Sequence, residues 1–85
     1  MEGFMAIKLI NLGFNNVVAL ERVVAVLNSQ SLPSKRLREE AIRKNKLIDA
    51  TNGRKMRTVL VTDSDHVVLS SLQPETIIQR IKEEK

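Results

Sequence analysis

The residues best suited to chemistry in this sequence are cations that follow a predicted tight turn within residues 49–57. An Asn-Gly pair ending at Gly53 is a strong turn signal, and Arg54, Lys55 and Arg57 come directly after it. No acidic residue lies between these cations or in the five positions after them. Arginine holds phosphate or guanine through a bidentate fork and lysine acts as a point charge, so the segment is suited to a polyanion. The structural alternative is a β-hairpin whose cations keep the chain soluble and protect a sheet edge.

A second polar segment, residues 63–66, combines two carboxylates, a hydroxyl and the only histidine of the chain, His66. Its spacing fits no standard metal-ligand pattern, and Asp and Ser are also the residues that a tight turn favours. Ser70 and Ser71 have no second imidazole to activate them, and the sequence contains no cysteine. We therefore predict a structural turn here, with no catalytic residue, no metal and no cofactor.

Positive charge is concentrated in the middle of the chain. Residues 35–57 hold nine Lys and Arg against three Asp and Glu, whereas the charges of residues 1–34 cancel. This distribution is typical of a phosphate-binding face.

Part of this charge belongs to a predicted helix. Four of its cations fall on one broad side: Lys35, Arg36, Arg43 and Lys46. Acidic residues at i,i+4 spacing offer them partners, which are Lys35–Glu39, Arg36–Glu40, Glu39–Arg43 and Glu40–Lys44. The pattern favours an ordinary solvated helix over a recognition helix.

Arg22 is a lone cation inside an apolar run. It can pair with its neighbour Glu21, form a salt bridge at a subunit interface, or lie beside the basic segment on the same face. The sequence leaves these alternatives open.

The elements that must position these residues form a small, antiparallel, β-rich α+β domain with a central basic helix and a C-terminal helix. Turn signals separate the strands and Pro and Ser mark the helix starts. The predicted strands are residues 6–12, two pieces of 17–27 with a bend or bulge at Glu21-Arg22, and residues 46–50, 57–62 and 66–70. Turns are predicted at Asn15-Asn16, Asn52-Gly53 and residues 63–65. One helix is capped by Ser31, has Pro33 in its first turn and ends near Asn45; the other starts at Pro74, with Ile77, Ile78 and Ile81 on one face.

Eighty-five residues make a single domain, residues 1–85, in which residues 1–4 read as an N-terminal extension. The chain has no Cys, Trp or Tyr and only two Phe, so neither disulfides nor large aromatic side chains support its core. Small aliphatic domains of this kind commonly gain stability by association, which predicts a homo-oligomer. No apolar run is long enough to span a bilayer and the N-terminus lacks the features of a signal peptide, so we expect a cytoplasmic protein.

The order of short motifs along the chain closely resembles the RemA family of bacterial extracellular matrix regulators, from Met5 to about Arg80. The blocks at 49–57 and 63–76 are the most specific. The motifs are Ile7–Gly13, Arg22–Val26, Pro33–Arg36, Lys46–Thr51, Gly53–Arg57, Asp63–Val67 and Gln73–Thr76.

This resemblance implies a transcriptional regulator of matrix and biofilm genes, with a fold similar to LytTR-type DNA-binding domains, that assembles into a ring and binds double-stranded DNA. It implies that Arg54 and Lys55 contact DNA, that Arg22 is a second basic position needed for binding, and that Pro33 has a structural role in its loop. Repeated basic segments, with Arg57 beside the main pair and Gly53 shaping the turn, would add weak contacts into useful affinity.

Two other functions remain open from the residues alone. An oligomeric scaffold could use its cations to bind an acidic protein, and duplex RNA could replace DNA. The scarcity of aromatic residues argues against a stacking platform for single strands.

Overall fold

The computed structural model describes residues 8–83, which form an α+β domain of six strands and two helices. The strands are β1 (Leu9–Gly13), β2 (Asn16–Ala19), β3 (Val23–Asn28), β4 (Leu47–Asp49), β5 (Thr58–Thr62) and β6 (Val67–Ser70). The helices are α1 (Leu32–Arg43) and α2 (Pro74–Glu83). The predicted α+β class is confirmed. Ala6 and Ile7, which we predicted to begin the first strand, lie outside the described residues.

The main sheet has four strands in the order β3-β5-β6-β4. Strand β5 pairs antiparallel with both β3 and β6, but β4 pairs parallel with β6. The prediction of an antiparallel sheet is therefore wrong for this one pair. Because β4 and β5 are not neighbours, residues 50–57 carry the chain across the end of β6, and the alternative of a β-hairpin at this segment is also wrong.

Strands β1 and β2 form a separate antiparallel hairpin. Its two-residue turn lies at Phe14 and Asn15, one position earlier than predicted, and both residues have positive φ, of 56° and 66°. Positive φ at both central positions is the geometry of the turn type that suits the twist of a two-residue hairpin. Asn tolerates this region readily, whereas a bulky aromatic residue rarely adopts it.

The apolar run 17–27 is broken as predicted. A short 3-10 turn at Leu20–Arg22 separates β2 from β3. The two pieces then pair with different strands, β2 with β1 and β3 with β5. The run is apolar along most of its length because its two pieces belong to two different sheets.

The core lies on both faces of the main sheet. Val59 and Leu60 are fully buried and belong to opposite faces, because successive strand residues alternate in direction. One face packs against the hairpin and α2 through Ile10, Leu12 and Ile77. The other packs against α1 through Ala41. The domain thus has three layers, with a central strand buried on both sides.

Both helices begin as predicted. The Ser31 hydroxyl accepts a hydrogen bond from the Ser34 backbone N–H (3.3 Å), and α2 starts at Pro74. In α2, Ile77 is buried and Ile81 packs beside it, but Ile78 is exposed, so the prediction of three isoleucines on one face is wrong for Ile78. Adjacent helix positions differ by about 100° around the axis, whereas positions four apart share a face.

Candidate nucleic-acid interface

The segment that joins β4 to β5, residues 50–57, is called the basic loop here. It opens with the predicted turn: the Arg54 backbone N–H donates to the Thr51 carbonyl oxygen (3.0 Å), and Asn52 and Gly53 have φ of 56° and 79°. Asn and Gly are the residues that adopt this left-handed region most readily. The sequence therefore fixes the point at which Arg54 leaves the turn.

Asp49, the residue before the basic loop, stabilises the turn. Its carboxylate accepts hydrogen bonds from the Thr51 hydroxyl (2.6 Å) and the Thr51 backbone N–H (2.9 Å). These bonds, the hydroxyl first, hold the pKa of Asp49 below its ordinary value, because they favour the charged form. The acidic residue nearest to the basic loop in sequence is thus bonded to Thr51, and among residues 8–83 it forms no ion pair with the cations.

The far end of the basic loop is fixed to the sheet. The Arg57 N–H donates to the Ser70 carbonyl oxygen (2.8 Å), and the Arg57 carbonyl accepts from the Ser29 N–H (3.1 Å). Met56 packs partly buried against the α1 side of the core, while Lys55 and Arg57 on either side of it are exposed. The backbone of this end is therefore held firmly while its cationic side chains face solvent.

The three cations of the basic loop lie together. They line one open depression with the hairpin turn and the segment after β6: Gly13, Phe14, Arg54, Lys55, Arg57, Ser71 and Leu72. Within residues 8–83, none of the three forms an ion pair with an acidic side chain. The depression is accordingly a concentrated and uncompensated positive surface.

Phe14 provides an aromatic contact to one of these cations. The guanidinium carbon of Arg54 lies 5.1 Å from the centroid of the Phe14 ring, within the range of a cation–π interaction. This contact could not be predicted from the sequence, because forty positions separate Phe14 from Arg54.

A second depression extends the positive surface onto α1. It is lined by Lys55 and Met56 together with residues around the start of the helix: Ser29, Gln30, Ser31, Leu32, Lys35 and Arg38. Lys55 lines both depressions, so the positive surface is continuous from Arg57 to Arg38. The Nε atom of Arg38 is buried and has no hydrogen-bond partner in the described part of the chain. Sequence reasoning missed this role for α1, and Arg38 was not among the four cations assigned to one side of the helix.

Three cations at or beyond the other end of α1 are occupied. Glu40 forms ion pairs with Arg43 and with Lys44 (3.1 Å), and the Lys46 ammonium donates to the Ser64 carbonyl oxygen (3.1 Å). Of the four predicted i,i+4 pairs, the described residues contain only Glu40–Lys44. The interpretation as a solvated, ion-paired helix therefore fits the C-terminal end of α1 but not its N-terminal end.

Pro33 is the second residue of α1 and is exposed. Its missing N–H costs nothing there, because the first N–H groups of a helix have no intrahelical partner. Beside it, Ser31 donates to the Asn28 carbonyl oxygen (2.9 Å), which fixes the chain entering the helix. The geometry is compatible with the structural role that the resemblance implies.

Arg22 lies away from the basic loop. Its Nε donates to the Asp63 carboxylate (2.7 Å), and not to Glu21, in an exposed ion pair. Asp63 follows the end of β5 and the basic loop precedes its start, so five strand residues, spanning about 17 Å, separate them. The fold of the single chain thus does not bring together the two sites that the resemblance links.

The segment 63–66, called the acidic turn here, forms the predicted turn between β5 and β6. Ser64 Oγ lies 2.7 Å from His66 Nδ1 and 3.1 Å from Thr62 Oγ1, and the His66 N–H donates to Thr62 Oγ1 (3.2 Å). Its serine and histidine are thus used to hold the turn. Among residues 8–83, no three acidic or histidine side chains gather in a metal-binding arrangement.

Neither α1 nor α2 is long and apolar enough to cross a membrane.

These features define a small three-layer α+β domain with a cationic surface along one side, whose loop cations have no acidic partner within residues 8–83. The family described as extracellular matrix regulatory protein A-like, RemA-like, matches residues 9–81, and the chain belongs to this family. The chain is 57% identical over 75 residues to a protein of Thermodesulfovibrio yellowstonii, covering 88% of each chain. It is 59% identical over 75 residues to a protein of Fervidobacterium nodosum, covering 88% of this chain and 81% of that one. A protein of Shouchella clausii is 54% identical over 77 residues, covering 91% and 88%.

All three relatives carry the name "putative regulatory protein". Family membership and these names support a regulatory role for the chain.

Proposed function

We propose that this protein is a transcriptional regulator that binds double-stranded DNA through its basic loop and activates genes of the extracellular matrix. The observation that carries the proposal is the exposure of Arg54, Lys55 and Arg57 on one depression without an acidic partner in residues 8–83. Uncompensated cations repel one another, so a protein that keeps them together gains from an anionic partner. The family description supplies the extracellular matrix as the regulated process.

The proposed contacts extend beyond the basic loop. Lys35 and Arg38 line the depression next to Lys55, so one DNA backbone can pass from the loop onto the start of α1. Each phosphate that is neutralised releases counterions and adds about −0.9 to the slope of log affinity against log salt. Binding by such contacts depends more on backbone and shape than on base sequence.

We propose a homo-oligomeric ring that repeats this surface. Support comes from the two edges of the main sheet, where Val24 in β3 and Ile48 in β4 are exposed apolar residues. Contact between two different edges of neighbouring copies is heterologous, and a heterologous contact that closes gives a ring. In such a ring the basic loop is repeated in every subunit, and several weak DNA contacts act together. A likeness to LytTR-type domains belongs to the same proposal.

The proposal is tested by fluorescence anisotropy with a labelled duplex of mixed sequence, at several salt concentrations. Arg54→Ala and Lys55→Ala are expected to weaken binding at least tenfold at moderate salt and to flatten the salt dependence. The matched control is Arg43→Ala, which removes the same charge from a cation already paired with Glu40. Light scattering is expected to give a mass several times the 9.6 kDa of one chain for all variants.

Three outcomes would overturn the proposal. Unchanged binding by both variants rejects the assignment of the basic loop, and a monomer with no duplex affinity in dilute buffer rejects the mechanism. Preference for duplex RNA over DNA in a competition assay moves the protein to another class.

A further inference from the structure

Four arginine side chains of this protein are held in two different ways. Three of them spend guanidinium N–H groups on hydrogen bonds: Arg22 on Asp63 (2.7 Å), Arg43 on Glu40, and Arg80 on the Asn11 carbonyl oxygen (2.7 Å). Arg54 instead meets the face of the Phe14 ring at 5.1 Å. A phenyl ring offers no oxygen or nitrogen acceptor, so this contact leaves the five guanidinium N–H donors available to other partners.

A phenylalanine is energetically unfavourable in the backbone conformation that Phe14 adopts. Its φ of 56° lies in the left-handed region, which is unfavourable for a bulky side chain, and Phe14 is 44% exposed. Asn or Gly would suit this turn position better. Neither the backbone conformation nor burial therefore explains a phenylalanine here, whereas the contact with Arg54 does.

The ring and the basic loop are fixed to the same part of the sheet. The buried Ser70 hydroxyl donates to the Leu12 carbonyl oxygen (3.2 Å), which ties β1 to β6 just before the hairpin turn. The buried Thr58 hydroxyl donates to the Leu72 carbonyl oxygen (2.6 Å) at the start of β5, and Leu72 lies against Gly13. The hairpin turn is thus supported from the strands that also anchor Arg57.

We propose that Phe14 is a positioning residue for DNA binding, which holds the Arg54 guanidinium group against its ring and leaves the N–H fork available to phosphate or to a base edge. The inference depends on the proposed function, because it names what orients the main contact of that site. A side chain that is already ordered loses less rotamer freedom on binding, and this reduces the entropic cost of the contact.

The test compares Phe14→Asn and Phe14→Tyr with the parent protein in the duplex-binding assay. Asn is favoured at positive φ, so Phe14→Asn is expected to leave urea stability unchanged or raised and yet to weaken DNA binding by about two- to fivefold per site. Phe14→Tyr keeps an aromatic face and is expected to bind like the parent. If Phe14 had a purely structural role, Phe14→Asn would instead change urea stability and DNA binding together.

A double-mutant cycle identifies Arg54 as the partner. In an Arg54→Ala background, Phe14→Asn is expected to have no further effect, whereas in a Lys55→Ala background it retains its full effect. An equal loss in both backgrounds, or a change in oligomer mass with Phe14→Asn, overturns the inference. If Arg54→Ala itself leaves binding unchanged, the proposed function fails; if Arg54→Ala weakens binding and Phe14→Asn does not, only the positioning role fails.

Discussion

Strand β5 is entered from the basic loop and left through the acidic turn, and the two segments share much of their local design. Each contains a residue with positive φ next to its tight turn, Gly53 at 79° and Asp65 at 66°, and each carries several charged side chains. In the acidic turn, Asp63 is paired with Arg22. In the basic loop, Arg54, Lys55 and Arg57 have no such partner among residues 8–83.

The polar groups of the two segments also differ in what they stabilise. Ser64 and His66 bond to each other, and Lys46 reaches the Ser64 carbonyl oxygen, so polar groups at this end hold the fold together. At the other end, the bonds that hold the loop come from the Arg57 backbone and from Asp49, and the cationic side chains are left over. The two segments thus differ in whether their charged side chains form contacts within the protein, and not in whether they carry charges.

Outside the basic loop itself, the largest expected effect comes from the cations of α1 that line the depression next to Lys55. Lys35→Gln combined with Arg38→Gln is expected to lower duplex affinity about tenfold and to reduce the salt slope by roughly 0.9 for each lost phosphate contact, measured by anisotropy. The matched control is Arg43→Gln with Lys44→Gln, which removes two cations that are already paired with Glu40. Equal losses in the two double variants would mean that net charge alone governs binding and that the two ends of α1 do not differ.

A smaller effect is expected from the shape of the basic loop. Gly53→Ala places a Cβ at φ of 79°, and nothing lies within 4 Å of that atom, so its cost is backbone strain of about 1 kcal/mol and no steric clash. Urea unfolding measures this loss of stability, and duplex affinity is expected to fall a few fold because Arg54 leaves the turn in another direction. Asn52→Gly, which suits the same conformation, serves as the control. A Gly53→Ala protein with unaltered affinity would show that binding does not depend on the geometry of the turn.

The smallest effect is expected at the acidic turn. Asp63→Asn removes an exposed ion pair, and such pairs contribute only about 0–1 kcal/mol, so the free energy of unfolding is expected to change little. Duplex affinity is expected to rise by about twofold, because the change releases Arg22 and removes a carboxylate that repels phosphate. Loss of assembly in light scattering would instead place the Arg22–Asp63 pair at a subunit contact.

Local features of this fold could be predicted from the sequence, because their causes are local. The Asn52-Gly53 turn, the Ser31 cap and the break at residues 20–22 each follow from the preferences of a few adjacent residues. The parallel pairing of β4 with β6 could not be predicted, because the three residues of β4 do not indicate by their types which strand they pair with. Membership of the RemA-like family, by contrast, was evident from the order of the motifs and is confirmed.

The extent of the candidate site could be predicted only in part. The cations of the basic loop are adjacent in sequence and stand out there, but Phe14 and Arg38 join them only through the packing of the hairpin and α1 around the sheet. The opposite error concerns Arg22. The sequence allowed it to lie beside the basic loop, but the length of β5 separates the two.

The two strands that flank the basic loop differ in how well they are hydrogen-bonded. At Arg57 the chain enters the central strand β5, which is hydrogen-bonded on both sides, while at Ala50 it leaves β4, an edge strand of three residues. Amide protons of β4 should therefore exchange with solvent sooner than those of β5. Opening of β4 would therefore release the Ala50 end of the basic loop before the Arg57 end, which is bonded to Ser70.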